Sequence, residues 1–354
     1  MIASLIGFGG RMAQFPLAGV LAWGAMVGSA LQVGVQWPIV MRLLGHFRMT
    51  LHYQGINVRT VVHNFFPVFV SRGVVQISAY VDSFLASLLP TGAVAALSYA
   101  QTLYTLPVSL FGMAVSAAEL PVMSGQLGSE DEIASALRQR LNAGLRQIAY
   151  FVVPSVVAFL VLGDVVVSAI YQSGRFMHAD VMYVWGILAG STVGLLASTL
   201  GRLYSSTYYA LRDTRTPLRF AIIRVTLTTI LGYLAAIPLP ALLGIAPRWG
   251  VAGLTISAGI SGWVEFLLLR HYLNRRIGKT GLSFSYSSTI WGIALAAAAA
   301  AWGIRSIVHL HRPIPLAIAV LIPYGVIYLG ATYLVRLPEA RSAAGIFARF
   351  AGRR

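Results

Sequence analysis

Apolar stretches of about twenty residues recur along almost the whole chain, and few folds accommodate such a pattern. A helix of that length crosses the hydrocarbon core of a bilayer, and inside that core every backbone polar group has to be satisfied within the protein. The stretches lie at about 15–40, 65–89, 92–122, 148–171, 181–208, 217–240, 249–273, 286–309 and 314–335, with short links between them. Ten-residue segments of alternating polarity, the mark of a membrane barrel, do not occur. The expected fold is therefore all-α, a polytopic membrane helical bundle of about nine transmembrane helices. Composition agrees: 57% of the 354 residues are hydrophobic, 10% are charged, and the mean hydropathy is +0.76.

The net charge of +16 would suit a nucleic-acid binder, but its placement points to topology instead. Lys279 is the only lysine, and the arginines gather in alternate links. Arg42, Arg48 and Arg59 follow the first span, Arg138, Arg140 and Arg146 the third, and Arg202, Arg212, Arg215 and Arg219 the fifth. Arg270, Arg275, Arg276 and Lys279 follow the seventh, and Arg336, Arg341, Arg349, Arg353 and Arg354 the ninth. The positive-inside rule makes these links and the C-terminal tail cytoplasmic, with membrane lipids rather than nucleic acid as the partner of the charge. An odd number of spans then leaves the N-terminus outside. Nothing in residues 1–14 reads as an export signal, so the expectation is a chain truncated at its start. Cysteine is absent, which excludes thiol chemistry.

In the link "SEDEIASALRQRLNAGLRQ", Ser129 and Glu132 have capping-box spacing, and Ile133, Leu137, Leu141 and Leu145 recur every fourth residue. The expectation is an amphipathic helix on the membrane surface, the alternative a solvated linker. At "ALRDTRTPLRF", Thr216 reads as an N-cap and Pro217 as the first helical residue. Gly24 and Gly28 form a GxxxG, and Gln32 and Gln36 continue that face, suiting close helix packing or a cavity lining.

The third stretch is unusually polar. In "SYAQTLYTLPVSLFGMAVSAAELP", Ser98, Thr102, Thr105, Ser109, Gly112, Ser116 and Glu119 follow one another at intervals of four and three, the spacing of a single helix face. Small-residue packing explains the serines and the glycine, whereas Glu119 and Gln101 point to a water-filled cavity. Pro107 should kink the helix beside that face. In the preceding stretch Arg72 and Gln76 share a face and suit an anionic headgroup; the alternative is that Arg72 snorkels or pairs with Glu119. Asp82 lies deeper and suits a cation, a titrating role or bonds to neighbouring serines, while Glu265 reads as an interfacial or helix-pairing residue. No phosphate loop, HExxH or Cys/His metal set occurs, and Glu130, Asp131 and Glu132 suit a helix N-terminus rather than a metal.

The segments "GSALQVGVQWPIV", "VVQISAYVDSFLASLLPTGAVAALSYA", "TLPVSLFGMAVSAAELPVMS", "YYALRDTRTPLR" and "GVAGLTISAGISGWVEFLLL" together resemble the MurJ/MviN lipid II flippases of the multidrug/oligosaccharidyl-lipid/polysaccharide exporter superfamily. The resemblance covers almost the whole chain. It implies a carrier rather than an enzyme, in the bacterial inner membrane, moving an undecaprenyl-linked peptidoglycan precursor by alternating access. Family members have fourteen helices in two six-helix lobes plus a final pair. On that pattern residues 1–64 hold the last helix of the first lobe and a link, 65–280 the second lobe, 281–336 the two terminal helices and 337–354 a basic tail. A separately encoded first lobe is then an expected partner.

The residues expected along the substrate cavity, from the polar face and the shared face before it, are Arg72, Gln76, Ser98, Gln101, Thr102, Thr105, Ser109, Ser116 and Glu119. Members typically carry an arginine where Thr102 stands, and Arg72 is the candidate replacement. Positions that hold sodium in some relatives match Asp82, Val251 and Thr255, with Thr228 and Gly232 at two further ligand positions that are poorer in oxygen here. Sodium or a proton is the implied coupling ion, with no other cofactor. Competing readings are an exporter of another lipid-linked glycan or of drugs, a non-transporting membrane scaffold, and an enzyme acting on polyprenyl lipids, for which the paired carboxylates at a membrane edge are missing.

Overall fold

The computed structural model describes residues 14–44, 80–126, 128–308, 310 and 312–341. Contacts divide the chain into residues 1–63 and 64–354. The first unit contains α1, a helix over Gln14–Leu44 with Arg42 in its last turn. In the second, residues 80–87 are helical (α2), followed by α3 over Ala93–Ser124, α4 (Glu130–Val161), α5 (Gly163–Tyr171), α6 (His178–Ala210) and α7 (Arg215–Ala236). A short α8 (Pro238–Leu242) leads to α9 (Gly250–Ile277), and α10 (Phe284–Ile307) and α11 (Pro313–Leu334) close the bundle. Among the described residues seven helices are long and apolar enough to cross a membrane: α3, α4, α6, α7 with α8, α9, α10 and α11. The expected span at 65–89 lies mostly outside the described residues.

Helix α6 is the axis of the second unit and packs against α3, α4, α5 and α9. Lipid tails are as apolar as leucine, so helices in a bilayer associate through close van der Waals contact and interhelical hydrogen bonds. Small residues supply the contact. A Cβ on Gly194 would stand 2.5 Å from the Gly259 Cα, and one on Gly190 would meet the Thr255 hydroxyl at 2.5 Å, so α6 and α9 touch backbone to backbone. Gly250 and Gly253 bring α9 equally close to the carbonyls of Ala236 and Ala235 on α7.

The terminal pair is fastened to α4 by hydrogen bonds. Tyr328 and Tyr324 donate to the carbonyls of Tyr150 and Pro154, each at 2.7 Å, and Tyr150 and Thr332 share a 2.9 Å hydroxyl contact. Arg146 meets Glu339 at 2.8 Å at one end, and Arg305 meets Asp164 at 2.6 Å at the other.

Two local expectations are corrected. The segment at 129–147 is not a separate surface helix: the Ser129–Glu132 capping box starts α4, which runs unbroken to Val161. Its stripe of Leu137, Leu141 and Leu145 continues through Ile148, Val152 and Val156, and all six are buried in protein. The span expected at 148–171 is accordingly split, breaking at Leu162 before α5. At the start of α7 the N-cap position is Thr214, which makes no side-chain cap bond, and the side chain that holds the first-turn amide is Asp213 rather than Thr216. The Asp213 carboxylate accepts from the Thr216 amide at 3.0 Å and from its hydroxyl at 2.8 Å, and pairs with Arg276 at 2.7 Å. A carboxylate is a stronger acceptor for an orphan helix amide than a hydroxyl, and Pro217 sits inside the first turn.

Two predictions follow from these contacts. Gly194→Val forces a side chain against the α9 backbone and should lower stability by about 3 kcal/mol in equilibrium unfolding from mixed micelles. Burial pushes the Asp213 carboxyl up, but the bonds from Thr216 and Arg276 outweigh it and hold the group below its ordinary value. Its contribution is therefore complete above about pH 3.9 and is lost as the pH falls through the depressed native value. Asp213→Asn should lower the melting temperature at pH 7 and flatten the acid limb; an unchanged melting temperature would count against the cap.

Candidate functional site

The polar stripe of α3 does not stay on one face. Pro107 has no amide to donate to the preceding turn, and the six residues after it, Val108–Met113, are π-helical. A π turn absorbs an extra residue, so the residues beyond it are rotated by about one position, or 100°. Ser98, Thr102 and Thr105, before the π segment, are exposed. Their hydroxyls donate to the carbonyls of Val94, Ser98 and Gln101 at 2.9, 2.9 and 2.8 Å. Each is thereby satisfied in its own helix and still presents lone pairs outward, which makes this an acceptor face.

From the π segment onward the stripe turns into protein. Ser109 is half-buried, and Gly112 is buried where a Cβ would meet Thr199 at 3.1 Å. Among the described residues the Ser116 hydroxyl and one oxygen of Glu119 are buried without a hydrogen-bond partner. The expected single cavity-lining face is thus corrected to two: Ser98, Thr102 and Thr105 on an open surface, Gly112 and Ser116 in a packed one. Arg72 and Gln76 lie outside the described residues.

Gln101 points another way, into a cavity of about 130 Å³ between α2, α3, α6, α7 and α9. Asp82, Tyr104, Ser198, Arg224 and Thr255 line it with Gln101. Tyr104 and Ser198 share a hydroxyl contact of 2.7 Å, and Arg224 meets Glu265 at 3.1 Å. One Asp82 oxygen, Oδ1, is buried with no partner. Glu265 behaves as the helix-pairing residue expected of it, joining α9 to α7.

Arg224 was not legible as a site residue, although the signal is there: in "FAIIRVTLTT" an arginine interrupts an apolar span, which in a membrane marks a buried partner. Its partner lies 41 residues away, beyond any helical periodicity. Arg202, expected in a basic link, stands within α6, near enough to feel Tyr104, Arg224 and Glu265.

Of the cation positions implied by the resemblance, Asp82 and Thr255 line this cavity, whereas Val251, Thr228 and Gly232 do not. A Cβ on Gly232 would meet Leu85 of α2 at 3.5 Å, and one on Gly250, which abuts Ala236, would meet Leu89 at 3.1 Å. Residues 85 and 89 thus advance alongside 232 and 236, and α2 and α7 run parallel. Asp82 and Thr228, each about one turn earlier, then stand at one level. The Thr228 hydroxyl is buried without a partner, as is Asp82 Oδ1. Thr255 donates its proton to the carbonyls of Ile187 and Ala252, leaving its lone pairs free, and Val251 is buried one turn before it. Gly232 packs against Leu254, Ser257 and Leu85. Two orphaned oxygens and a free hydroxyl lone pair fit a small monovalent cation.

A profile of the family described as "Lipid II flippase MurJ" matches residues 1–321. The chain belongs to the MurJ family. It is 26% identical over 281 residues to the "Probable lipid II flippase MurJ" of Vibrio cholerae, covering 79% of this chain and 50% of that protein. It is 28% identical over 309 residues to the Haemophilus influenzae protein of the same description, covering 86% and 57%. The "Lipid II flippase MurJ" of Burkholderia cenocepacia is 29% identical over 264 residues, covering 72% and 48%. A solved structure described as "Lipid II flippase MurJ, inward closed conformation" shares the fold, with a TM-score of 0.67, 21% identity, and coverage of 84% of this chain and 58% of that one. The chain therefore spans about half the length of the MurJ relatives it matches.

The orphaned hydroxyl of Ser116 yields a prediction for this MurJ-family helix. A buried polar group without a partner is a cost, so Ser116→Ala should raise stability by about 1 kcal/mol, read as a higher melting temperature.

Proposed function

We propose that this chain carries lipid II translocation in the bacterial inner membrane, moving the lipid-linked peptidoglycan precursor by alternating access with its C-terminal end in the cytoplasm. Membership of the MurJ family supports the substrate class. The observation that carries the reading at this site is the open acceptor face of Ser98, Thr102 and Thr105, continuous through Gln101 with a charged interior cavity. Hydroxyls already bonded to their own backbone suit a sugar or peptide headgroup that brings its own donors, and they tolerate water when it leaves. The missing cationic charge at Thr102 falls to Arg72 in this reading, and Asp82 with Val251, Thr255 and Thr228 serves as the seat of the coupling cation.

The absence of cysteine makes the test direct. Single Thr102→Cys and Thr105→Cys variants in proteoliposomes should react with a membrane-impermeant maleimide and be protected by lipid II, while Ser116→Cys should react at least tenfold more slowly. Labelling of all three at one rate, or no protection, would sink the cavity assignment. Lipid II transport, assayed with a first lobe co-expressed, should drop at least tenfold in Arg72→Ala and respond to a sodium or proton gradient. Intact transport in Arg72→Ala would remove that residue from the site.

A further inference from the structure

The cavity behind Gln101 is lined by one carboxylate, Asp82 on α2, and one guanidinium, Arg224 on α7. Arg224 is bridged outside that lining, to Glu265 on α9. Arg202 on α6, an exposed residue, lies within electrostatic range of Arg224 and Glu265. Of these four groups only Arg224 and Glu265 are bridged among the described residues, and Asp82 Oδ1 is left buried and unpartnered there.

Helix geometry shows that Arg224 has a choice. At Gly232, α7 touches Leu85 of α2 and Ser257 of α9. Arg224 is eight residues before Gly232, about 12 Å along the axis, and Glu265 is eight residues after Ser257 on an antiparallel neighbour, so the two stand level. Asp82 is three residues before Leu85 on a parallel neighbour, about 7.5 Å nearer to Gly232. A long, flexible arginine stem sweeps such a distance without backbone movement, and both side chains open into the same cavity.

We propose that Arg224 is a tethered cation that competes with a bound monovalent cation for Asp82. While Glu265 holds the guanidinium, Asp82 is open to the cation. When the cation leaves, the guanidinium crosses to Asp82 and Arg202 takes over Glu265, so no carboxylate is left charged and alone in the bilayer. Both carboxylates keep a partner in both states, and the exchange links α2, α7, α9 and α6. This inference rests on Asp82 as the cation seat.

The test is equilibrium binding of radioactive sodium to the purified chain at pH 8, with monodispersity and helical content confirming that each variant is folded. Asp82→Asn should abolish binding. Arg224→Gln removes the competitor and should tighten sodium binding at least tenfold, whereas Glu265→Gln releases Arg224 to Asp82 and should weaken it at least tenfold. Arg224→Lys keeps the charge and should remain within threefold of the wild type. Absence of sodium binding in the folded wild type would overturn the seat. Shifts of Arg224→Gln and Glu265→Gln in the same direction, or no shift in either, would overturn the competition and leave the seat standing. Wild-type binding in Asp82→Asn would overturn the seat itself.

Discussion

The contact between Gly194 and Gly259 sets the spacing on which the rest of the second unit depends. With no hydrophobic force between helices in lipid, α6 and α9 are held by backbone approach, and only glycine permits it at 2.5 Å. Once those axes are drawn together, α7 is brought against α9 by Gly250 and Gly253, and Arg224 comes level with Glu265. The cavity lined by Asp82 and Gln101 is the space left where these crossings diverge.

Polar groups in this bundle fall into two populations with different consequences. Those that join the terminal helices to α4 and α5 are mostly matched: the tyrosines reach backbone carbonyls, Arg146 meets Glu339 and Arg305 meets Asp164 of α5, with Glu339 Oε2 left unpartnered among the described residues. Matched bonds between helices hold them as one body. Those around Asp82, Thr228, Ser116 and Glu119 are not matched, and each orphaned atom is a cost that packing alone does not explain. At Asp82 the orphan flanks a cavity, where a ligand can repay it. At Ser116 the hydroxyl is enclosed by protein, and a methyl group would serve better.

Much of the architecture was legible in the sequence because apolar length and link charge are local properties. The helices α3, α6, α9, α10 and α11 lie where such stretches occur, and the Ser129–Glu132 pair does start a helix. What that helix then packs against was not legible. Leucines at every fourth residue look alike whether lipid or protein covers them, and in α4 protein does. The Asp213 cap was hidden for a related reason, since Thr216 is itself an acceptable cap and the choice is made by Arg276 from another helix.

By itself, the sequence determined a multi-span helical bundle of the MurJ family, since both follow from residue order alone: twenty apolar residues need a bilayer, and family segments recur in series. It also determined that α3 is polar, from spacing. The tertiary structure alone decided which polar residues share a surface. A π segment after Pro107 rotates the second half of the stripe into protein, and an ion pair 41 residues apart closes only when two glycine-lined crossings bring its helices level. Helical phase carries across a turn of backbone, but a contact between helices depends on axial distance and rotation, which no single stretch of sequence encodes.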